Sequence, residues 1–184
     1  PDLLTIEGIT LIEPDATVYA SEENTTKSSE LIKEEQLEAF MNTSNSFLGI
    51  EKLWNEGIEG QGIKVAVLDT GIDADHPEFA GIYKGGKNLI PNSSTYTKHR
   101  ADDDASETLP SERPAGTPEF NANGSSFYTS HGTHVAGTIA AIGANEFGIK
   151  GIAPKVDLYA YRVLGAYGSG ATSGIVKAIE TAVI

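Results

Sequence analysis

The chain contains no cysteine. Disulfide frameworks, thiol nucleophiles and cysteine-ligated zinc are therefore excluded from its chemistry. Bases are scarce too: 13 Lys and Arg stand against 26 Asp and Glu, a formal net charge of −13. A surface of that sign repels phosphate, which argues against a nucleic-acid partner but leaves a cation site open. Aromatic residues make up 8% of the chain, with a single Trp, lean but sufficient for a buried core. The apolar stretches run to about ten residues at most, where a transmembrane segment needs roughly 20. The opening Pro1-Asp2 lacks the basic n-region of a secretory signal. Because residue 1 is not Met, the chain is expected to be an excerpt with any targeting segment upstream.

What is present divides unevenly. Residues 1–60 hold 13 acids and 3 bases, whereas residues 61–184 hold 13 acids and 10 bases. This shift suggests a boundary near residues 45–60. Residues 3–20 read as strand, turn, strand, punctuated by Gly8 and by Pro14-Asp15. A polar linker follows at 21–29. Residues 30–41 read as an amphipathic helix with Leu31, Leu37 and Phe40 on one side, and residues 47–56 as a short helix carrying Leu48, Leu53 and Trp54.

The clearest strand is Ile63-Lys64-Val65-Ala66-Val67-Leu68, nearly all apolar, as a buried parallel strand should be. It stops at Asp69. Residues 81–130 read as one long polar loop, and a loop of that length in a compact domain is functional or disordered. Residues 132–143 read as a small-residue helix, 156–164 as a strand and 172–183 as a helix. Strands alternating with helices predict an α/β fold with a parallel sheet. Functional groups in such folds sit beyond the carboxyl ends of strands, where Asp69 lies.

A carboxylate closing an apolar strand is costly unless it is paired or hydrogen-bonded. Asp69 is thus either functional or a cap on the next turn. His131 and His134 are spaced i, i+3 at a helix start; that pair could bind a metal, but the HEXXH spacing and any cysteine partner are missing. His134 reads as a core histidine, His76 before Pro77 as structural, and His99 as solvated. Asp69 and His131, 62 residues apart, supply two of the three parts of a charge-stabilised general base.

The segments Val65-Ala66-Val67-Leu68-Asp69-Thr70-Gly71-Ile72-Asp73, His76-Pro77, His131-Gly132-Thr133-His134-Val135-Ala136-Gly137-Thr138, Gly151-Ile152-Ala153-Pro154 and Val163-Leu164-Gly165-Ala166-Tyr167-Gly168-Ser169-Gly170 resemble subtilisin-like serine proteases in kind, order and spacing. The likeness is to the large secreted branch of minor-extracellular and lactocepin-type proteases of Gram-positive bacteria. It covers residues 46–184 and, more loosely, 3–20.

The resemblance implies a three-layer subtilisin-like α/β fold, of which this chain holds the N-terminal half. It implies that Asp69 is the triad aspartate and His131 the general base. Leu164, Gly168, Ser169 and Gly170 match the edge that pairs with an extended substrate backbone, although on its own that segment reads as a Gly-rich turn. A structural Ca²⁺ is implied as well, with Asn145 as the side-chain ligand, Ile142, Phe147 and Ile149 as carbonyl ligands, and Glu78 where the family often has Asp. Asp102, Asp103 and Asp104 are a separate cation possibility, or a solvated charge run. Residues 1–20 resemble the tail of an α+β propeptide that inhibits its own enzyme, and 21–45 would be a linker containing the maturation site. The implied partners are a protein or peptide substrate and the propeptide itself; the implied location is secreted or cell-wall associated.

The family's nucleophile segment, Gly-Thr-Ser-Met-Ala in type, is absent. Among 14 serines only Ser169 lies between glycines, and it matches the substrate edge. The oxyanion asparagine is also absent. The chain is therefore expected to be an inactive fragment of a serine endopeptidase. Two other readings are a non-catalytic binding or inhibitory module that retains this half-domain, and a metal-dependent hydrolase built on His131 and His134.

Overall fold

The computed structural model describes residues 13–20, 44–91, 100–144 and 149–183. The strand and helix expected within residues 3–12 and 30–41 lie outside the described residues. So do His99, Asn145 and Phe147.

Three parallel strands form the central sheet: β2 (Lys64–Asp69), β3 (Tyr83–Asn88) and β4 (Asp157–Arg162), in the spatial order β2-β4-β3. Two short strands, β1 (Thr17–Tyr19) and β5 (Ser169–Ala171), make a separate antiparallel pair. The helices are α1 (Ile50–Asn55), α2 (His131–Ala140) and α3 (Thr172–Val183). No helix among the described residues is long and apolar enough to cross a membrane.

Side chains alternate across a strand, so β2 sends Val65 and Val67 to one face and Leu68 to the other. Val67 joins Leu158 and Ala160 of β4 and Ala136 and Ala140 of α2 in one buried cluster, with Val65, Val135 and Ile139 against it. Leu68 and Tyr161 instead pack with Ile175 and Ala178 of α3. The two helices thus cover opposite faces of the sheet, giving three layers. The register pairs Asp69 with Arg162 and Arg162 with Asn88, so all three strands end together at one rim.

The helix α2 approaches the sheet unusually closely, and its composition is the reason. A Cβ on Gly132 would sit 2.2 Å from the Gly71 carbonyl oxygen and 3.1 Å from the Asp69 Cβ. Only glycine lets the start of α2 rest on the turn that follows β2.

The sequence reading of residues 81–130 as a loop throughout needs correction, because β3 lies inside it. Tyr83-Lys84-Gly85-Gly86-Lys87-Asn88 contains no β-branched residue, so local propensity hides the strand. Pairing with β4 creates it. A Cβ on Gly86 would lie 2.2 Å from the Ala160 carbonyl oxygen, so the site demands a residue with poor strand propensity. The remainder is not uniformly solvated either. Ala105, Glu107, Thr108 and Phe127 are buried, and Ile72 N donates to the Ala105 carbonyl at 2.9 Å.

Candidate active site

Asp69 ends β2 and His131 begins α2, so the sheet rim and the helix start bring them together. His131 Nδ1 lies 2.8 Å from Asp69 Oδ1 and 3.0 Å from Oδ2. An ionised carboxylate can only accept, so against it Nδ1 is the donor of this contact and Nε2 is left as the second ring nitrogen. The Asp69 side chain is 13% exposed and that of His131 36%, an arrangement that shelters the carboxylate and leaves the imidazole accessible. Asp69 Oδ1 also accepts from Thr70 N at 2.6 Å.

The start of α2 is tied down from outside. Ser130, the residue preceding the helix, makes no side-chain cap. Instead Thr70 Oγ1 accepts from Gly132 N at 2.8 Å, and Glu107 Oε1 accepts from Thr133 N at 2.9 Å. Two first-turn donors that would otherwise lack partners are thereby satisfied. His134, read from the sequence as a core histidine, is exposed; it lines the same cavity of about 760 Å³ as His131 and Thr70. One turn further along α2 than His131, it faces the opening instead of the sheet. Among the described residues, no three His, Asp or Glu side chains group together as metal ligands.

The segment Leu164 to Gly170 reaches this cavity at Gly168. Leu164 is buried in the cluster that also receives Val18 and Ala20. Ser169 and Gly170 pair with Tyr19 and Val18 across β5 and β1, and the Gly168 carbonyl accepts from Ala20 N at 2.8 Å. Both Ala20 and Gly168 line the cavity beside His131.

Beneath the rim lies Arg162, fully buried at the end of β4. Its guanidinium donates to Asn88 Oδ1 at 3.1 Å and to Thr108 Oγ1 at 2.8 Å. Burial first, and repulsion from Arg100 second, pull it down to about 10, while Glu112, Glu107 and Asp104 push the other way. It remains a cation at neutral pH. Nothing local marked Arg162 or Glu107 in the sequence; the partners that give each its role lie 22 to 74 residues away.

Of the residues expected around calcium, Glu78 is buried in the turn after β2. Its Oε2 accepts from Gly143 N at 2.5 Å, and its Oε1 is buried with no partner among the described residues. Ile142 N donates to the Glu78 carbonyl at 3.1 Å, so Glu78 and the start of the 142–149 loop are adjacent. Asp104, from the acidic run, accepts from Ser106 N at 3.1 Å as a turn cap.

A parallel α/β sheet that brings an Asp–His pair to its carboxyl rim, beside an open cavity, defines the class of site. The Subtilase family profile matches residues 60–183, and the chain belongs to that family. The minor extracellular protease Vpr of Bacillus subtilis (strain 168) is 36% identical over 186 residues, covering 100% of this chain and 20% of that protein. An intracellular serine protease of Paenibacillus polymyxa is 38% identical over 154 residues, 84% of this chain and 39% of the relative. Subtilisin Savinase of Lederbergia lenta is 41% identical over 128 residues, 70% of this chain and 35% of the relative. The chain thus spans well under half the length of these relatives.

Proposed function

We propose that residues 46–184 are the Asp/His half of a serine endopeptidase domain. The observation that carries this reading is the 2.8 Å contact between His131 Nδ1 and Asp69, set on the wall of a cavity that Gly168 also lines. His131 Nε2 takes the proton of a serine hydroxyl as that oxygen attacks a peptide carbonyl. Asp69 holds the tautomer and steadies the imidazolium that forms. The same imidazolium then returns the proton to the leaving amine. The serine and the oxyanion donors come from sequence outside these 184 residues, so the isolated chain does not hydrolyse peptides.

Leu164, Gly168, Ser169 and Gly170 form the edge along which an extended peptide substrate lies, by strand addition. Support comes from β1, which already occupies that edge in antiparallel register. Residues 1–20 are accordingly read as the tail of an inhibitory propeptide and 21–45 as the linker in which maturation occurs. The relative that covers the whole chain is named an extracellular protease, which supports secretion.

A structural Ca²⁺ would be held by Glu78 with the carbonyls of Ile142 and Ile149, together with Asn145 and Phe147. The unpartnered buried oxygen of Glu78 supports this, since a buried carboxylate oxygen demands a cation or a donor. Such an ion would brace the loop that follows α2.

The test is made on the full-length protein. Asp69→Asn is expected to lower turnover by about 10⁴ with folding kept, and a serine-directed covalent inhibitor is expected to label the wild type. Near-normal turnover in Asp69→Asn, or no labelling of an otherwise folded wild type, sinks the reading and favours a non-catalytic module.

A further inference from the structure

The carboxylate partners of Glu107 lie 22 and 26 residues further along the chain, at the start of the helix that carries the base. Glu107 is 5% exposed and belongs to the long stretch between β3 and α2. Its Oε1 accepts from both the amide and the hydroxyl of Thr133, each at 2.9 Å. Its Oε2 accepts from Thr129 Oγ1 at 2.6 Å. Both carboxylate oxygens are therefore committed to Thr129 and Thr133, which flank His131 by two positions on either side.

The chain of contacts continues in both directions. Thr133 Oγ1 accepts from Asp73 N at 2.9 Å, which links Glu107 to the turn that follows Asp69. Thr129 Oγ1 accepts from Thr108 N at 3.0 Å, and Thr108 Oγ1 in turn accepts from the buried Arg162 guanidinium at 2.8 Å. On the backbone side, the Glu107 carbonyl accepts from Arg100 at 2.8 Å, so Glu107 itself is held. A negative charge at a helix N-terminus is also favourable in its own right.

We propose that Glu107 is a positioning residue for the His131 base. It takes the place of the missing Ser130 cap and locks the first turn of α2 to the Asp73 turn, and so fixes the imidazole against Asp69. The role rests on the peptidase reading above. It requires no contact between Glu107 and substrate. It also gives the stretch 100–129 a function in catalysis separate from any restriction of access: this stretch delivers the carboxylate that sets the helix.

The role predicts a split between turnover and substrate binding. A misplacement of the base by a fraction of an ångström to 1 Å costs up to about 10²-fold in rate. In the full-length protein, Glu107→Gln is expected to lower kcat roughly 10- to 100-fold, counted per active site titrated with a serine-directed inhibitor, with KM within about twofold. Thr133→Val, which removes the hydroxyl that joins Glu107 to Asp73, is expected to give a smaller loss of kcat. His131→Ala is the control. If His131→Ala retains full turnover, the peptidase reading fails and the role of Glu107 fails with it. If His131→Ala is inactive while Glu107→Gln has wild-type kcat per titrated site, whatever its melting temperature, Glu107 is only structural and this proposal alone is overturned. Should Glu107→Gln not fold, Thr133→Val decides: an unchanged kcat per site there overturns the proposal equally.

Discussion

Phe127 stands edge-on to Tyr167, with ring centroids 5.4 Å apart and planes at 86°. The contact joins the stretch before α2 to the segment that reaches the cavity at Gly168. Tyr167 has φ 59, a left-handed conformation that costs a non-glycine residue about 1–2 kcal/mol. Two further contacts hold it there: its hydroxyl donates to the Pro118 carbonyl, and its amide donates to the Phe127 carbonyl at 3.3 Å. Phe127 is completely buried, so Phe127→Ala is expected to cost about 3–5 kcal/mol of local and global stability. Because Tyr167 adjoins Gly168, the same change is expected to raise KM for long peptides more than for short ones. Denaturant titration and KM measured on a peptide length series check both expectations. Equal KM changes at all lengths would separate this contact from the substrate edge.

The close seating of α2 gives a second prediction. Gly132→Ala would place a methyl 2.2 Å from a backbone oxygen of Gly71, which has no flexible side chain to yield. The helix must then lift off the turn, stretching both the Thr70–Gly132 and the Asp69–His131 contacts. A loss of about 1–3 kcal/mol in stability is expected from overpacking, with a fall in turnover larger than that seen for Ala136→Gly further along the helix. Urea midpoints and kcat for the two variants provide the comparison; equal turnover in both removes the argument.

Much of the site was legible because its parts sit where period and punctuation are strong. The strand to Asp69 is a continuous apolar run, and His131 opens a run of small residues that can only be a tightly packed helix. The fold class followed from the same alternation. Other parts were illegible for physical reasons. Strand β3 is made by pairing with β4 and by the space that Gly86 leaves, neither of which is a local property. Glu107 and Arg162 look like any charged residues until partners distant in sequence surround them. His134 carries the same spacing whether it faces the sheet or the cavity, and the rotation of the helix that decides between them is a tertiary property.

Glu78 supplies a third prediction. Its buried Oε1 lacks a partner among the described residues, while Oε2 anchors Gly143. If a calcium ion completes that carboxylate, adding Ca²⁺ at about 100 times its dissociation constant stabilises the fold by about 2.7 kcal/mol. Glu78→Gln keeps the size of the side chain but removes the charge, and is expected to abolish most of that gain. Thermal melts with added Ca²⁺ and with a chelator, on both proteins, measure it. A wild type whose melting temperature is the same in both conditions excludes the ion.

The last prediction concerns acid. Lys150 Nζ lies 2.8 Å from Glu59 Oε1, and Lys155 pairs with Oε2. Hydrogen bonding from Lys150, and then from Lys155, holds the Glu59 carboxyl below the usual glutamate range, despite the opposing effect of burial. A carboxyl lowered in the folded state releases its proton more readily there than in the unfolded chain. Its contribution to stability is therefore fully present above the unfolded value, about 4.3, and is lost as pH falls through the lower folded value. Lys150 also lies 4.3 Å from the Trp54 ring centre, and Trp54 donates to the Ile152 carbonyl at 3.0 Å, so the pair anchors α1 beside the chain leading into β4. Glu59→Gln is expected to lower stability near neutral pH and to flatten the acid limb below about pH 4.3, where wild type and variant converge. Denaturant midpoints followed from pH 7 to pH 3 by Trp54 fluorescence test this directly, since Trp54 is the only tryptophan of these 184 residues. Parallel acid limbs in the two proteins would place the acid sensitivity elsewhere.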